Sequence, residues 1–294
     1  MMKLPTFLTA KRAALLAAGL SLTVCALDAS AADAASAASA ASAASAASAA
    51  TAATAATAAD AAVQPAGKWK IAFGPGLFVS PRYPGSRDLR VFPYPALDIS
   101  YDDRIFSQGP DVLGVNVLRG DDYHVGAAIT LDFVSRHESD DPRLHGLGNV
   151  NAGPKLKLFA DYTVWMFTGS VAMYQDIAGH HQGKTVLTDL YASLPAGGWL
   201  FSAGPGFTWA DAVYTRTFFG VSNQQSAASG LPAYNTGAGI RDVHLNGYVS
   251  YDFSKHWVGS VAVTLGRLQH HAASSPITER RTELNTLASV NYRF

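Results

Sequence analysis

From Trp69 to the last residue the chain returns again and again to one pattern, an alternation of apolar and polar side chains sustained over about 10 to 14 residues. A period of two is the repeat of an extended strand, whose successive side chains point to opposite faces. The length of these runs constrains the fold most. Strands of globular domains average ~5–6 residues, whereas a strand that crosses a bilayer needs ~9–11. Trp69, Ile71, Phe73, Leu77 and Val79 share one face, with Lys70, Ala72, Gly74 and Gly76 opposite. Leu156, Leu158, Ala160 and Tyr162 oppose Lys155, Lys157, Asp161 and Thr163. The chain ends the same way, with Ala288, Val290, Tyr292 and Phe294 opposite Ser289, Asn291 and Arg293. Soluble sandwiches also alternate, but here the polar faces carry ions and glycines, as the lumen of a membrane barrel does.

In lipid only helices and closed barrels satisfy their own backbone. No stretch after the amino-terminal region is long and apolar enough for a membrane helix, so the long strands predict an all-β fold. That fold is a transmembrane antiparallel up-and-down β-barrel. Nine crossings are clear, one from Trp69 and eight from Tyr123 onward. An even total requires an odd number between Leu89 and Leu118. Three fit, as a strand near Arg90–Tyr101, a turn at Asp102-Asp103 and a short pair to Leu118. The sum is twelve strands, with ten as the alternative, and the Pro-containing Phe92-Pro93-Tyr94-Pro95 weakens the first of the three. Short connections at Thr163-Val164, Ala196–Gly198 and Ser254–His256 alternate with long ones at His137–Gly148, Ala178–Gly183, Ala212–Thr236 and His270–Thr282. This is the asymmetry of inner turns and outer loops. Trp69, Trp165, Trp199 and Trp257 each open a strand after a turn or tether, which predicts an aromatic girdle at one interface. Val290, Tyr292 and Phe294 read as a carboxyl-terminal signal for the barrel assembly machinery.

Upstream, residues 1–31 have the layout of a secretory signal: Lys3, Lys11 and Arg12, an apolar run from Ala13 to Ala26, and Ala29-Ser30-Ala31 as a cleavage site. Residues 32–66 are a low-complexity Ala/Ser/Thr tether with no large side chain to bury, and the barrel is expected over 67–294. With 22 basic and 22 acidic side chains, the chain has no basic footprint for nucleic acid. Its one cysteine, Cys25, falls in the export segment, so the mature chain has no disulfide.

Chemistry is thinly marked. Ser226, His270, His271, Asp211 and Glu279 lie in expected outer loops, but no nucleophile-elbow motif holds the serine. Neither enzymatic activity nor a cofactor is expected. His180-His181, His270-His271, His137 and His145 would bind a transition metal only if their loops converged. The lumen-facing Lys155, Lys157, Asp132, Asp161, Asp189, Asp252 and His244 mix both signs, which favours internal ion pairs filling the barrel over an ion-lined pore.

Several stretches in order resemble one family. They are Tyr83-Pro84-Gly85-Ser86 with Arg90-Val91-Phe92-Pro93, Phe218-Phe219-Gly220-Val221-Ser222 leading to Gln225-Ser226 and Ala233-Tyr234, and Gly237 to Val243. His256-Trp257, Ser275-Pro276-Ile277 and Tyr292-Arg293-Phe294 follow. Together they are similar to the MipA/OmpV (MltA-interacting protein) family of Gram-negative outer-membrane proteins. Two features depart from that pattern: His270-His271 stands where a Gly-Asp pair is usual, and the Ala-rich tether is unusual. The resemblance implies a barrel set in outer-membrane lipid. It also implies a scaffold joining a murein lytic transglycosylase to a penicillin-binding protein, with a small-solute channel as the alternative function.

Overall fold

The computed structural model describes residues 68–294. The signal segment, the tether and Gly67 lie outside the described residues. The chain forms a closed antiparallel barrel of twelve strands in sequence order, sealed where β12 pairs with β1. The strands are β1 (Trp69–Pro81), β2 (Leu89–Tyr101), β3 (Ile105–Gln108), β4 (Val112–Arg119), β5 (Tyr123–Asp132) and β6 (Gly153–Val164). They continue with β7 (Phe167–Asp176), β8 (Lys184–Ala196), β9 (Trp199–Ala210), β10 (Gly239–Asp252), β11 (Trp257–Leu268) and β12 (Thr282–Arg293). The count of twelve and the short pair after Tyr101 match the sequence reading. No described helix is long and apolar enough to cross a membrane.

The alternation is inside out relative to a soluble protein. Leu77, Leu190, Leu245 and Leu265 are exposed on the outer surface, whereas Thr208, Asn246, Thr264 and Asn285 are at most 1% exposed in the interior. Apolar atoms facing outward all round a closed sheet match the lipid-facing band of a membrane barrel. At the β2–β3 turn, Asp102 and Asp103 both take left-handed φ, at 51° and 52°. Asp tolerates this because its short side chain bonds locally.

Two details correct or extend the sequence reading. The β6–β7 turn is at Trp165-Met166, not Thr163-Val164, because β6 runs on to Val164 and Trp165 takes φ 57° in the turn itself. The β9–β10 connection, legible in the sequence only as a long loop, contains α1 (Ala212–Phe219) and α2 (Asn223–Ser229), and the β11–β12 connection holds a one-turn α3 (His270–Ala273).

Candidate functional site: a cap across the outer mouth

Four of the long connections, at 82–88, 133–152, 211–238 and 269–281, leave the same end of the barrel and pack into one cap. Local signals build its helices. Asp211 caps α1 by accepting from the Tyr214 N–H at 2.8 Å. Ser222 and Gln225 close a reciprocal capping box at the start of α2. Gly230 then ends α2 with a left-handed φ of 77°.

Tertiary contacts join loops that are far apart on the ring. One buried cluster gathers Tyr83 from the β1–β2 loop, Leu144 and Leu147 from β5–β6, Val221 from β9–β10 and Ile277 from β11–β12. A second packs Tyr214, Phe218 and Phe219 against Val134, Val150, Ala210, Leu268 and Ala272. In a ring of twelve strands the β5–β6 and β11–β12 loops are diametrically opposite. They nevertheless meet: Arg143 Nη1 lies 3.2 Å from Glu279 Oε1, and its Nη2 donates to the Pro276 carbonyl at 3.0 Å. The cap therefore spans the mouth.

The residues singled out in the sequence converge here. Tyr83 is buried and its hydroxyl donates to Glu279 at 3.3 Å. Burial, and then the Glu279 carboxylate, push that hydroxyl's pKa above the ordinary value, so it stays a donor. Pro84 is buried beside it. Gly85 has φ 84°, and an added Cβ would come within 2.9 Å of Thr278. Its carbonyl accepts from the Glu279 and Arg280 N–H groups at 2.8 and 3.1 Å. Ser86 closes the turn, its N–H bonded to the Tyr83 carbonyl at 2.9 Å. Phe219 is fully buried, and its carbonyl accepts from Ser275 Oγ at 2.6 Å. Gly220 caps the end of α1, and Val221 bridges to Tyr234. Gln225 Nε2 donates to the Leu147 carbonyl at 2.6 Å, and Ser226 Oγ to Leu231 at 2.6 Å. Tyr234 reaches the His271 carbonyl at 3.1 Å.

These engagements disperse the set considered for hydrolysis. Ser226 is bonded to Leu231, Asp211 caps a helix, and Glu279 accepts from Tyr83, Arg87 and Arg143. The histidine pairs stay apart, and among the described residues no group of three or more His, Cys, Asp or Glu is placed to hold a metal ion.

Sequence reasoning missed Arg136, a cation at the centre of the cap. It is 2% exposed, and its guanidinium donates to the Leu147 and Phe218 carbonyls at 3.4 and 3.5 Å. Burial pushes its pKa down to about 10, which leaves it charged at neutral pH. Periodicity carries no signal for such a residue, because its partners are a carbonyl of its own loop and one of the distant β9–β10 connection.

Below the cap the lumen holds a continuous polar network. His244 bridges Asp242 and Asp189, at 2.8 Å from each. Asn246 donates to Asp189 at 2.9 Å and accepts from Thr264 at 2.7 Å. A bulge between Ile240 and Asp242 turns both Arg241 and Asp242 inward. Arg241 pairs with Asp242 and donates to the Tyr214 hydroxyl of α1 at 2.9 Å, tying wall to cap. On the other side Lys155 pairs with Asp132.

At the short-turn end, Trp69 packs against Tyr101, Trp199 against Tyr251 and Trp257 against Tyr292, with ring centroids 4.6, 4.4 and 5.2 Å apart. Trp165 packs on Phe167 at 6.0 Å. Phe294 contacts Tyr292, and its N–H donates to the Ile71 carbonyl at 3.0 Å, while Val290 pairs with Gly259.

The family model described as MltA-interacting protein MipA matches residues 73–294. No curated protein sequence matches the chain significantly. Several solved structures are distantly similar. A loop L8 deletion mutant of OmpT, an outer membrane protein of Vibrio cholerae, is 8% identical over 77% of this chain and 98% of its own, with a TM-score of 0.34. The CymD monoaromatic hydrocarbon channel is 11% identical over 76% and 87%, at 0.33. Salmonella typhi OmpF, in complex with daunomycin, is 9% identical over 77% and 96%, at 0.32.

Proposed function

Because the chain belongs to the MltA-interacting protein (MipA) family of outer-membrane barrels, we propose that it is a non-enzymatic scaffold, holding a murein lytic transglycosylase beside a penicillin-binding protein. The observation that carries this reading is the closed mouth. Opposite loops meet through Arg143 and Glu279, and the lumen beneath is lined on its β8–β10 side by the Asp189–His244–Asp242–Arg241 network. A barrel blocked in this way has little use as a pore, so its work falls to its surface.

In this reading the short-turn end faces the periplasm, where peptidoglycan lies. The polar turns around Asp102, Asp103, Arg104, Asp121, Asp122, Lys255 and His256 are the surface offered to the enzymes. Trp69, Trp165, Trp199 and Trp257 mark the inner lipid interface as the girdle. Val290, Tyr292 and Phe294 serve the assembly machinery. Residues 1–31 direct export and 32–66 tether the barrel. The cap residues around Tyr83, Phe219 and Ser275 seal the outer mouth and do not recognise the partners.

Affinity capture with cross-linking in the native envelope tests the proposal. Enrichment of a lytic transglycosylase and a penicillin-binding protein over an unrelated barrel is expected. Charge reversal at Asp102, Asp103, Asp121 and Asp122 is expected to abolish that enrichment. Capture no better than the unrelated barrel sinks the scaffold reading. Stepwise openings of the wild-type chain in a planar bilayer favour the small-solute channel in its place.

A further inference from the structure

The barrel wall is not equally complete all round. β2 runs for 13 residues, but its neighbour β3 has only 4 and β4 has 8. Four residues extend ~13 Å, short of the apolar band of ~25 Å that a wall must cover. β3 pairs only with Asp98–Tyr101 of β2. Along Leu89–Ala96, no strand lies beside the edge of β2 that faces away from β1 among the described residues. The first backbone bond on that side runs from the Gly109 N–H to the Leu97 carbonyl. This segment is opposite Gly74–Pro81 of β1, and Val91, Pro93 and Pro95 are exposed on its outer face. The wall therefore has a gap in its outer half.

The sequence suits this bare edge. The Leu97 and Tyr101 carbonyls both turn toward the hairpin, where they accept from Gly109 and Arg104. Backbone groups two residues apart point the same way, so Val91, Pro93 and Pro95 share that direction. Two of these three have no N–H. The prolines remove donors that would otherwise face hydrocarbon without a partner.

Side chains alone close the gap from inside. Arg90 Nη2 donates to the Phe133 carbonyl at 2.8 Å and Nη1 to Ser135 Oγ at 3.4 Å. The rings of Phe92 and Phe133 meet edge-on at 6.2 Å, and the Tyr94 hydroxyl donates to Asp111. Behind these contacts the lumen is aromatic, with Phe78 against Phe92 at 5.2 Å and Phe106 against Phe159 at 5.7 Å. Lys157 is buried there over the Phe159 and Tyr174 rings. It forms no ion pair among the described residues, and Asp161, Asp111 and Asp189 act on it only at longer range. Arg90 likewise binds only neutral oxygens. Across the barrel the lumen is lined by Asp189, His244, Asn246 and Thr264, with Tyr191 and Tyr248 buried beside them.

We propose that the gap between β2 and the β3–β5 edge is a lateral portal, through which a single-chain anionic amphiphile of the fatty-acid class passes between the aromatic side of the lumen and the outer leaflet. The rim of Val91, Pro93, Pro95 and Leu131 suits the hydrocarbon tail, and the aromatic rings continue that path inward. Lys157 is the cation available to the carboxylate inside the lumen. The Arg90 contacts to Phe133 and Ser135, with the Tyr94 contact to Asp111, are the latches. No backbone ladder has to break for the portal to open. The cap leaves this wall as the way out, and the proposal stands whether or not a transglycosylase binds.

Photo-cross-linking tests it. The full mature chain in proteoliposomes is labelled with a diazirine-bearing sixteen-carbon fatty acid, and the adducts are mapped by mass spectrometry. Adducts at Val91–Tyr94, Phe133, Phe78 and Phe159 are expected at several times the level at the outward residues Val243, Leu245 and Leu265 of the opposite wall. The double variant Arg90→Ala/Tyr94→Phe is expected to raise adducts at Phe78 and Phe159 at least threefold. Equal labelling of both walls with none in the lumen means annular lipid only and overturns the proposal. So does unchanged lumenal labelling in the double variant. If that variant does not assemble, excess unlabelled oleate decides on the wild-type chain. It must displace the lumenal adducts and spare those at Val243 and Leu265, and failure to do so refutes the portal.

Discussion

Phe219→Ala tests whether the cap is one cooperative unit. The Phe219 side chain is fully buried, among Tyr214, Phe218, Leu268 and Ala272. Truncating a buried Phe to Ala costs about 3–5 kcal/mol, the lost transfer energy plus the cavity left behind. The substitution leaves the Phe219 carbonyl in place for Ser275, and it removes no bond from any strand ladder. The penalty therefore falls on the cap and not on the wall. At about 1.4 kcal/mol per factor of ten, the cap-opening equilibrium shifts by at least ~100-fold. Amide hydrogen exchange, read by mass spectrometry on the detergent-solubilised barrel, measures the shift directly. Because the clusters link all four loops, exchange is expected to accelerate together in 82–88, 133–152, 211–238 and 269–281 while β8–β11 keep their protection. Acceleration confined to 211–238 would show that the loops open independently, and the account of a mouth-spanning cap would be wrong.

Other perturbations probe separate contacts. The raised pKa of Tyr83 means that the folded state keeps this proton after an unfolded tyrosine, ordinarily near 10, has released it. The contribution is present below pH 10 and falls as pH rises above it. Alkaline difference spectroscopy is expected to show a late-titrating tyrosine that Tyr83→Phe removes; an unchanged titration curve contradicts the burial argument. Gly85→Ala places a Cβ 2.9 Å from Thr278 at φ 84° and is expected to destabilise the cap by about 1–3 kcal/mol, through left-handed strain and overpacking. Protection in 269–281 equal to wild type counts against it. His244→Ala strands Asp189 and Asp242 in the lumen without their shared partner, a loss of about 3–5 kcal/mol. The heat-modified gel shift of the variant barrel is expected at a clearly lower temperature, and no change would mean that the network is solvated.

The strands were legible in the sequence because a closed membrane wall repeats one local rule. Each outward Leu or Val answers to lipid and each inward Thr, Asn or Asp to the lumen, so period and length sufficed even for the short β3 and β4. The Trp165 turn was misplaced because a bulky residue at positive φ runs against steric preference. The helices of the β9–β10 connection left a trace in Ser222-x-x-Gln225, a capping box, but a seven-residue α2 has too few turns to show a periodic face. The cap itself was not legible. Tyr83, Leu147, Val221 and Ile277 meet only because strands of fixed register deliver their loops to a common rim. The family-like motifs flagged the right residues without saying what they touch.

The tie between Arg143 and Glu279 spans 136 positions of chain and joins opposite sides of the ring. Glu279 precedes the last strand, which must zip to the first before that side of the rim exists. A lid tied across opposite sides of the ring is expected to set fully only once the cylinder is sealed. A reagent that recognises the shut lid from outside the cell would count only the molecules whose insertion has gone to completion.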